Sequence, residues 1–155
     1  MAYKVFISYS TNDFQIVENV RKLLTNPEVE VFIAEYSVIP GIQLDESIVK
    51  AIKKCDLFVL LWSRNSKFSE YVLQEIGVAR GDDKPILPIV LVDGLQLPGF
   101  IKDLKYLPAY REPAESLIWL QQHIFAHADK HRQTNAFVLL CLGGLLVWLF
   151  SQKQI

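Results

Sequence analysis

The sequence has few cysteines, and their spacing excludes a disulfide framework. Cys55 and Cys141 both lie in apolar surroundings, with no CxxC spacing and no nearby histidine. Such isolated cysteines are typical of proteins in reducing compartments. A signal peptide is also not expected, because the strand-like opening MAYKVFISYS leaves no room for a charged region, an apolar region and a cleavage site. We therefore expect the globular part of the chain to stay in the cytoplasm.

Neither a basic surface nor a phosphate-binding glycine motif is visible in the sequence. Lysine and arginine number 16 against 17 aspartate and glutamate, and no basic run interleaves with aromatic residues. The sequence therefore predicts no nucleic-acid partner. No GxGxxG or GxxxxGK pattern follows the first strand-like segment, which excludes a Rossmann fingerprint and a P-loop.

One long apolar run is present, at the C-terminus. The 20 residues from Gln133 to Gln152 carry no charge, and those from Ala136 to Phe150 are continuously apolar or glycine. A bilayer-spanning helix needs about 20 mostly apolar residues. Trp148 near one end and the basic DKHR before the run favour a tail anchor over residues 135–152, with a juxtamembrane segment at 129–134 and the main domain in the cytoplasm. The alternative is an apolar helix docked on the domain or on a neighbouring copy.

Before this tail, strand-like runs alternate with segments of helical periodicity. The predicted strands are Tyr3–Ser8, Val29–Ala34, Asp56–Trp62, Pro85–Val92 and a short fifth strand within Leu104–Tyr110. Four helices are predicted. The first begins behind a cap at Asn12 or Asp13, the second covers Gln43–Cys55, the third begins at Ser69, and the fourth covers Pro113–His131. Strands separated by helices imply right-handed crossovers and a parallel sheet covered on both faces. We predict one α/β domain over residues 1–128 with a flavodoxin-like, five-stranded parallel sheet, followed by one apolar helix.

Ligands of such sheets bind outside the carboxyl ends of the strands. The loops after the first three strands read SYSTND, AEYSVIPGIQ and WSRNSKFSEYVLQE. The third of these brings Trp62, Ser63, Tyr71 and Glu75 toward the same end of the sheet. These loops are therefore the expected location of a functional site.

Four segments in order resemble a prokaryotic TIR (Toll/interleukin receptor) domain. They are VFISYS, VFIAEYSVIPG, LLWSRNSKFSEYVLQEIGVA and KPILPIVLVDG, and the resemblance extends from Tyr3 to about His127. In this family an S-x-W-x-x-x-E stretch carries the catalytic glutamate of the members that cleave NAD. That stretch corresponds to Ser69, Tyr71 and Glu75, with tyrosine in place of the usual tryptophan. Ala34 stands where many members have aspartate.

A single carboxylate is sufficient for this chemistry. Glycoside hydrolysis usually needs two carboxylates, one of which protonates the leaving oxygen. The nicotinamide of NAD is already cationic and departs neutral, so Glu75 needs only to bond the ribose hydroxyls and offset the developing positive charge. The resemblance implies further substrate contacts: Tyr9, Tyr36 and Trp62 by stacking, Ser8, Ser10 and Ser63 to ribose or phosphate, Tyr71 beside Glu75, and the assembly loop with Pro40 and Gly41.

Each of these residues also has a purely structural interpretation. A glutamate on a helix face is usually solvated, and Trp62 ends an apolar strand and fits the core equally well. Serines that follow strands often cap the next helix, and Pro40-Gly41 fits a plain turn. The sequence leaves these alternatives open.

Three histidines recur every four residues along one stripe of the last helix: His123, His127 and His131. No cysteine or suitably spaced carboxylate completes a ligand set apart from Asp129, on another face, so no metal site is predicted. A polar helix face explains the stripe equally well. Protonated histidines beside a membrane could also bind anionic headgroups.

The resemblance implies an NAD+ glycohydrolase or ADP-ribosyl cyclase that acts in prokaryotic antiphage immune signalling or NAD+ depletion. NAD+ is then the substrate, and no separate cofactor is predicted. We expect self-association into a homo-oligomer or filament, in which the Pro-Gly loop of one copy completes the site of the next. The alternatives are a noncatalytic scaffold that recruits other TIR domains, and a membrane-disrupting effector oligomerised by its TIR domain.

Overall fold

The computed structural model describes residues 2–34 and 44–151, with side chains described as far as residue 133. The strands are β1 (Tyr3–Ser8), β2 (Val29–Ile33), β3 (Leu57–Trp62), β4 (Ile86–Val90) and β5 (Leu107–Pro108). The helices are α1 (Phe14–Leu23), α2 (Glu46–Lys54), α3 (Arg64–Lys67), α4 (Glu70–Gly81) and α5 (Pro113–Ser151). Short 3-10 turns cover Thr11–Asp13 and Gly99–Ile101.

The five strands form one parallel sheet in the order β2-β1-β3-β4-β5. This order confirms the predicted flavodoxin-like arrangement. The order in which successive strands are added across the sheet reverses between β1 and β3. The last residue pair in the register of these two strands is Ser8 with Leu60. A ligand site is therefore expected beyond this pair, where the two following loops diverge.

Two apolar clusters hold helices against the two faces of the sheet. Alternate residues of β1 and β3 pack on one face against α1 and α5, and on the other face against α2 and α4. On the second face Phe6 lies between Phe32 and Phe58, with ring centroids 5.4 Å apart in both pairs. Burial raises the pKa of the Cys55 thiol in this cluster to about 11, as expected for an inert cysteine.

The single helix predicted from Ser69 is preceded in the structure by a separate short helix. Ser63 begins α3 through a reciprocal capping arrangement with Ser66, and the Ser69 side chain caps α4 by accepting the Val72 N–H. The short fifth strand, Leu107–Pro108, lies within the predicted segment Leu104–Tyr110. Pairing between β4 and β5 begins only at Ile89, one residue after a proline that has no N–H to donate.

Helix α5 continues without a break from Pro113 to Ser151, through the predicted juxtamembrane segment at 129–134. In the part of the chain that the structure describes, no helix is both long and apolar enough to cross a membrane. The predicted anchor at 135–152 falls on residues whose side chains lie outside the described part. The structure therefore adds no support to that prediction.

Candidate active site

A buried carboxylate lies at the carboxyl edge of the sheet, on α4. Val72, Glu75, Ile76 and Ala79 recur at helical spacing and form the buried face of this helix. Glu75 therefore points toward the sheet rather than toward solvent, and it is 0% exposed. The interpretation of Glu75 as a solvated surface charge does not fit this packing.

Ser8, the last residue of β1, supplies a hydrogen bond to this carboxylate. Its hydroxyl donates to Glu75 Oε1 over 3.0 Å, and Ser8 is 0% exposed. The two residues are 67 positions apart in the sequence. Burying a carboxylate is costly unless its oxygens accept hydrogen bonds. Such a group at the edge where ligands of this fold bind is a strong candidate for a functional residue.

A second buried carboxylate, Asp13, connects the loops that follow β1 and β3. It accepts hydrogen bonds from Ser63 Oγ at 2.5 Å and from Asn65 Nδ2 at 2.9 Å. The sequence indicates this residue only as a possible helix cap. The structure shows Asp13 at the N-cap position of α1 without any side-chain capping bond. No local pattern could have identified this role, because its partners lie 50 and 52 positions away.

Two aromatic residues predicted to stack on the substrate are packed inside the protein. Trp62 is 2% exposed and its indole N–H donates to the backbone oxygen of Gln96 at 2.9 Å. Tyr9 is also buried, and its hydroxyl donates to the backbone oxygen of Ala34 at 2.8 Å. For Trp62 the structure supports the core alternative. For Tyr9 the ring contributes to the apolar cluster around α1.

The remaining predicted substrate contacts are only partly described. Ser10 and Ser63 are buried at the same edge as Glu75, and Tyr71 is half-buried on α4. Ser63 serves as the cap of α3, as the structural interpretation of such serines anticipated. Tyr36, Pro40 and Gly41 lie outside the described residues. Contacts of these residues with a substrate stay predictions.

Replacing Tyr9 by phenylalanine tests whether its hydroxyl acts within the protein. We expect this variant to lose about 1 kcal/mol in the free energy of unfolding, because the carbonyl of Ala34 loses its buried donor. Urea unfolding would measure the loss. Tyr106→Phe is a suitable control, because Tyr106 is 46% exposed. Equal stability of the Tyr9 variant and the wild type would contradict this role.

The histidine stripe forms a ring stack rather than an evident ligand set. His123 lies 4.7 Å from the Trp119 ring and 4.3 Å from the His127 ring, measured between centroids. His127 Nδ1 is 2.8 Å from the backbone oxygen of His123, which can only accept, so this nitrogen carries the proton. Burial and the neighbouring His127 lower the pKa of His123. No group of three or more potential ligands converges within the described ranges.

Comparisons with known proteins agree with this architecture. The family model described as TIR domain matches residues 5–123. A curated relative from Brachypodium distachyon, named probable 2' cyclic ADP-D-ribose synthase BdTIR, is 30% identical over 112 residues. The match covers 68% of this chain and 50% of the relative, so the chain spans about half the length of the curated relative it matches.

Two solved structures share the fold at low sequence identity. The TIR domain of the Toll-related receptor TRR-2 from Hydra magnipapillata superimposes with a TM-score of 0.60 at 18% identity, covering 83% of this chain and 99% of that one. The CMP N-glycosidase BcmB from Clostridium botulinum gives 0.54 at 19% identity, covering 77% and 98%. At these identities the likeness concerns the fold alone. Because the family model matches residues 5–123 and the strand order agrees with it, the chain belongs to the TIR domain family.

Proposed function

We propose that this chain cleaves the bond between nicotinamide and ribose in NAD+, with Glu75 as the catalytic group. The observation that carries the proposal is the buried Glu75 carboxylate, held by Ser8 at the sheet edge where ligands of this fold bind. The relative named as a 2' cyclic ADP-D-ribose synthase supports the same class of chemistry.

Glu75 acts on a glycosidic bond whose leaving group needs no proton. When the bond from ribose C1' to the pyridinium nitrogen breaks, its electron pair neutralises the ring, and nicotinamide leaves uncharged. Positive charge then develops on the ribose, where a carboxylate in a dry environment stabilises it strongly. The Ser8 hydroxyl donates to one oxygen of Glu75 and so fixes the orientation of the carboxylate. Because the positive charge moves from the pyridinium ring onto the ribose as the bond breaks, a carboxylate held beside the ribose stabilises the transition state more than the bound substrate.

The attacking group determines the product. Water that adds to C1' and loses a proton gives ADP-ribose. A group within the ADP-ribose moiety that adds in its place, such as a nitrogen of the adenine, gives a cyclic product. Both routes need the same departure of nicotinamide, so Glu75 has the same role in both. The name of the Brachypodium relative supports the cyclase alternative.

Access to Glu75 requires a change in the structure around it. The carboxylate is fully buried, so no ribose can contact it in the conformation described here. We propose that association between copies opens and completes the site, as the resemblance implies for the Pro-Gly loop. A dilute monomer should then be nearly inactive.

The test compares NAD+ consumption by the same amount of protein in dilute solution and immobilised at high density on beads. We expect turnover per molecule to rise about 10²-fold at high density, because crowding raises the effective concentration of neighbouring copies. Chromatography of the products distinguishes ADP-ribose from a cyclic isomer.

Two results of this test would contradict the proposal in different ways. Equal turnover at both densities would contradict activation by assembly while leaving the chemistry in place. No consumption at either density would instead favour a noncatalytic scaffold.

We further propose a role in prokaryotic antiphage signalling or NAD+ depletion, with the domain in the cytoplasm and the apolar segment at 135–152 holding it to a membrane. These proposals rest on the sequence, namely the uncharged run from Gln133 to Gln152 and the resemblance described above. Tethering would raise the density of the domain in one plane, in agreement with activation by assembly.

A further inference from the structure

Beyond the end of the β1–β3 pairing, side-chain hydrogen bonds connect the two loops at the sheet edge. The ladder between these strands ends at Ser8 and Leu60. Past this point the chain leaves β1 toward α1 and leaves β3 toward α3. Asp13 connects the two paths through Ser63 and Asn65, each of which donates to one of its two oxygens.

Asp13 makes these hydrogen bonds instead of the side-chain N-cap bond that aspartate commonly makes at the start of a helix. Aspartate at an N-cap position normally accepts an N–H of the helix that follows, which stabilises that helix. Asp13 occupies the N-cap position of α1 and makes no such bond. It is 8% exposed, and two hydrogen bonds to a charged group at a buried site stabilise the protein more than a single N-cap bond does. The contacts across the sheet edge are therefore the stronger use of this carboxylate.

From Asp13 a chain of hydrogen bonds leads to the start of α4. Ser63 Oγ accepts the Ser66 N–H at 3.1 Å, and Ser66 Oγ accepts the Ser63 N–H at 2.6 Å. Ser66 Oγ also donates to the backbone oxygen of Leu61 at 3.0 Å, and its own backbone oxygen accepts the Ser69 N–H. Ser69 then caps α4, the helix that carries the catalytic carboxylate.

We propose that Asp13 is a positioning residue for Glu75. It fixes α3 and the start of α4 relative to the loop after β1, so that Glu75 meets Ser8 at the end of that strand. This inference rests on the proposed function. Asp13 does not contact the substrate, and its effect on the reaction is exerted through the placement of α4.

Replacing Asp13 by alanine tests this role with two independent measurements. We expect kcat for NAD+ to fall about 10²-fold with little change in KM, because small displacements of a catalytic group are costly while binding contacts remain. We also expect faster hydrogen exchange of the backbone amides of residues 66–72, because the start of α4 loses its connection. Asp13→Asn keeps one acceptor oxygen and should show an intermediate loss of about tenfold. It carries the test if the alanine variant does not fold.

Asp56 provides a matched control. Its carboxylate also connects β1 with β3, but at the opposite edge of the sheet, where Oδ2 accepts the Lys4 N–H at 2.8 Å. Asp56→Ala should leave both kcat and the exchange of residues 66–72 unchanged.

Three results would overturn the positioning role: unchanged exchange in Asp13→Ala, faster exchange with unchanged kcat, or an equal loss of kcat in Asp56→Ala. If the wild type consumes no NAD+ even at high density, the proposed function and the positioning role both fail. The exchange measurement then still reports whether Asp13 connects the two loops.

Discussion

Glu75→Gln is expected to lower kcat for NAD+ by about 10³-fold while the protein still folds and assembles. Glutamine has the same shape and keeps an oxygen that can accept the Ser8 hydroxyl, so the packing beside β1 is preserved. The variant lacks the negative charge that offsets the charge on the ribose in the transition state. NAD+ consumption by protein at high density on beads, with separation of the products, measures the effect.

Stability should change in the opposite direction from activity. A buried carboxylate carries a larger desolvation cost than a buried amide, so the melting temperature of Glu75→Gln should equal or exceed that of the wild type. The matched control is Glu70→Gln, since Glu70 lies on the same helix but is exposed. Glu70→Gln should retain full activity. Retention of activity by Glu75→Gln would instead assign Glu75 a structural role and remove the basis of the proposed mechanism.

Trp62→Ala is expected to lower the free energy of unfolding by about 3–5 kcal/mol. The indole is almost fully enclosed at the end of β3, and its removal leaves a cavity as well as an unpaired backbone oxygen at Gln96. Trp62→Phe fills most of that space and should cost about 1–2 kcal/mol, largely from the lost N–H donor. Unfolding in urea, followed by circular dichroism, measures both losses.

Kinetic measurements on the Trp62 variants distinguish a ring that packs in the core from a ring that contacts the substrate. If the ring only packs in the core, the KM of Trp62→Phe for NAD+ should equal that of the wild type, at a temperature where the variant is folded. A stable Trp62→Ala protein with a raised KM would indicate that the ring contacts the substrate. The burial of Trp62 favours the first result.

Local sequence patterns predicted most of the fold. Strand β1 was predicted with the bounds that the structure shows, and β2 and β3 differ from their predictions by one residue each. Apolar runs of this length between helical segments leave few alternatives to a parallel sheet. The boundaries of α3 were harder to predict. The sequence suggests one loop followed by one helix, whereas the structure has two successive helices, capped by Ser63 and Ser69.

The sequence identified candidate residues of the site but not the hydrogen bonds between them. Glu75 was singled out through the resemblance to a family motif, and the loops after the strands were predicted to lie at the end of the sheet where the structure places Glu75 and Ser8. The sequence did not reveal that the Ser8 hydroxyl donates to Glu75, and the predicted contact of Ser8 with substrate stays a prediction. Asp13 was assigned only a capping role, because its partners belong to a loop 50 residues later.

The sequence by itself determined the class of the fold, the order of its elements and the helix that carries the candidate catalytic carboxylate. The fold class and the elements follow from periodicity, which depends only on neighbours along the chain, whereas Glu75 itself was singled out through the resemblance to a family motif. Only the tertiary structure decided that Glu75 is buried, that Ser8 holds it, and that Asp13 connects two loops instead of capping α1. The physical reason is that a side chain takes the strongest hydrogen bond within its reach. In a folded parallel sheet that partner can come from a strand end more than 50 residues away.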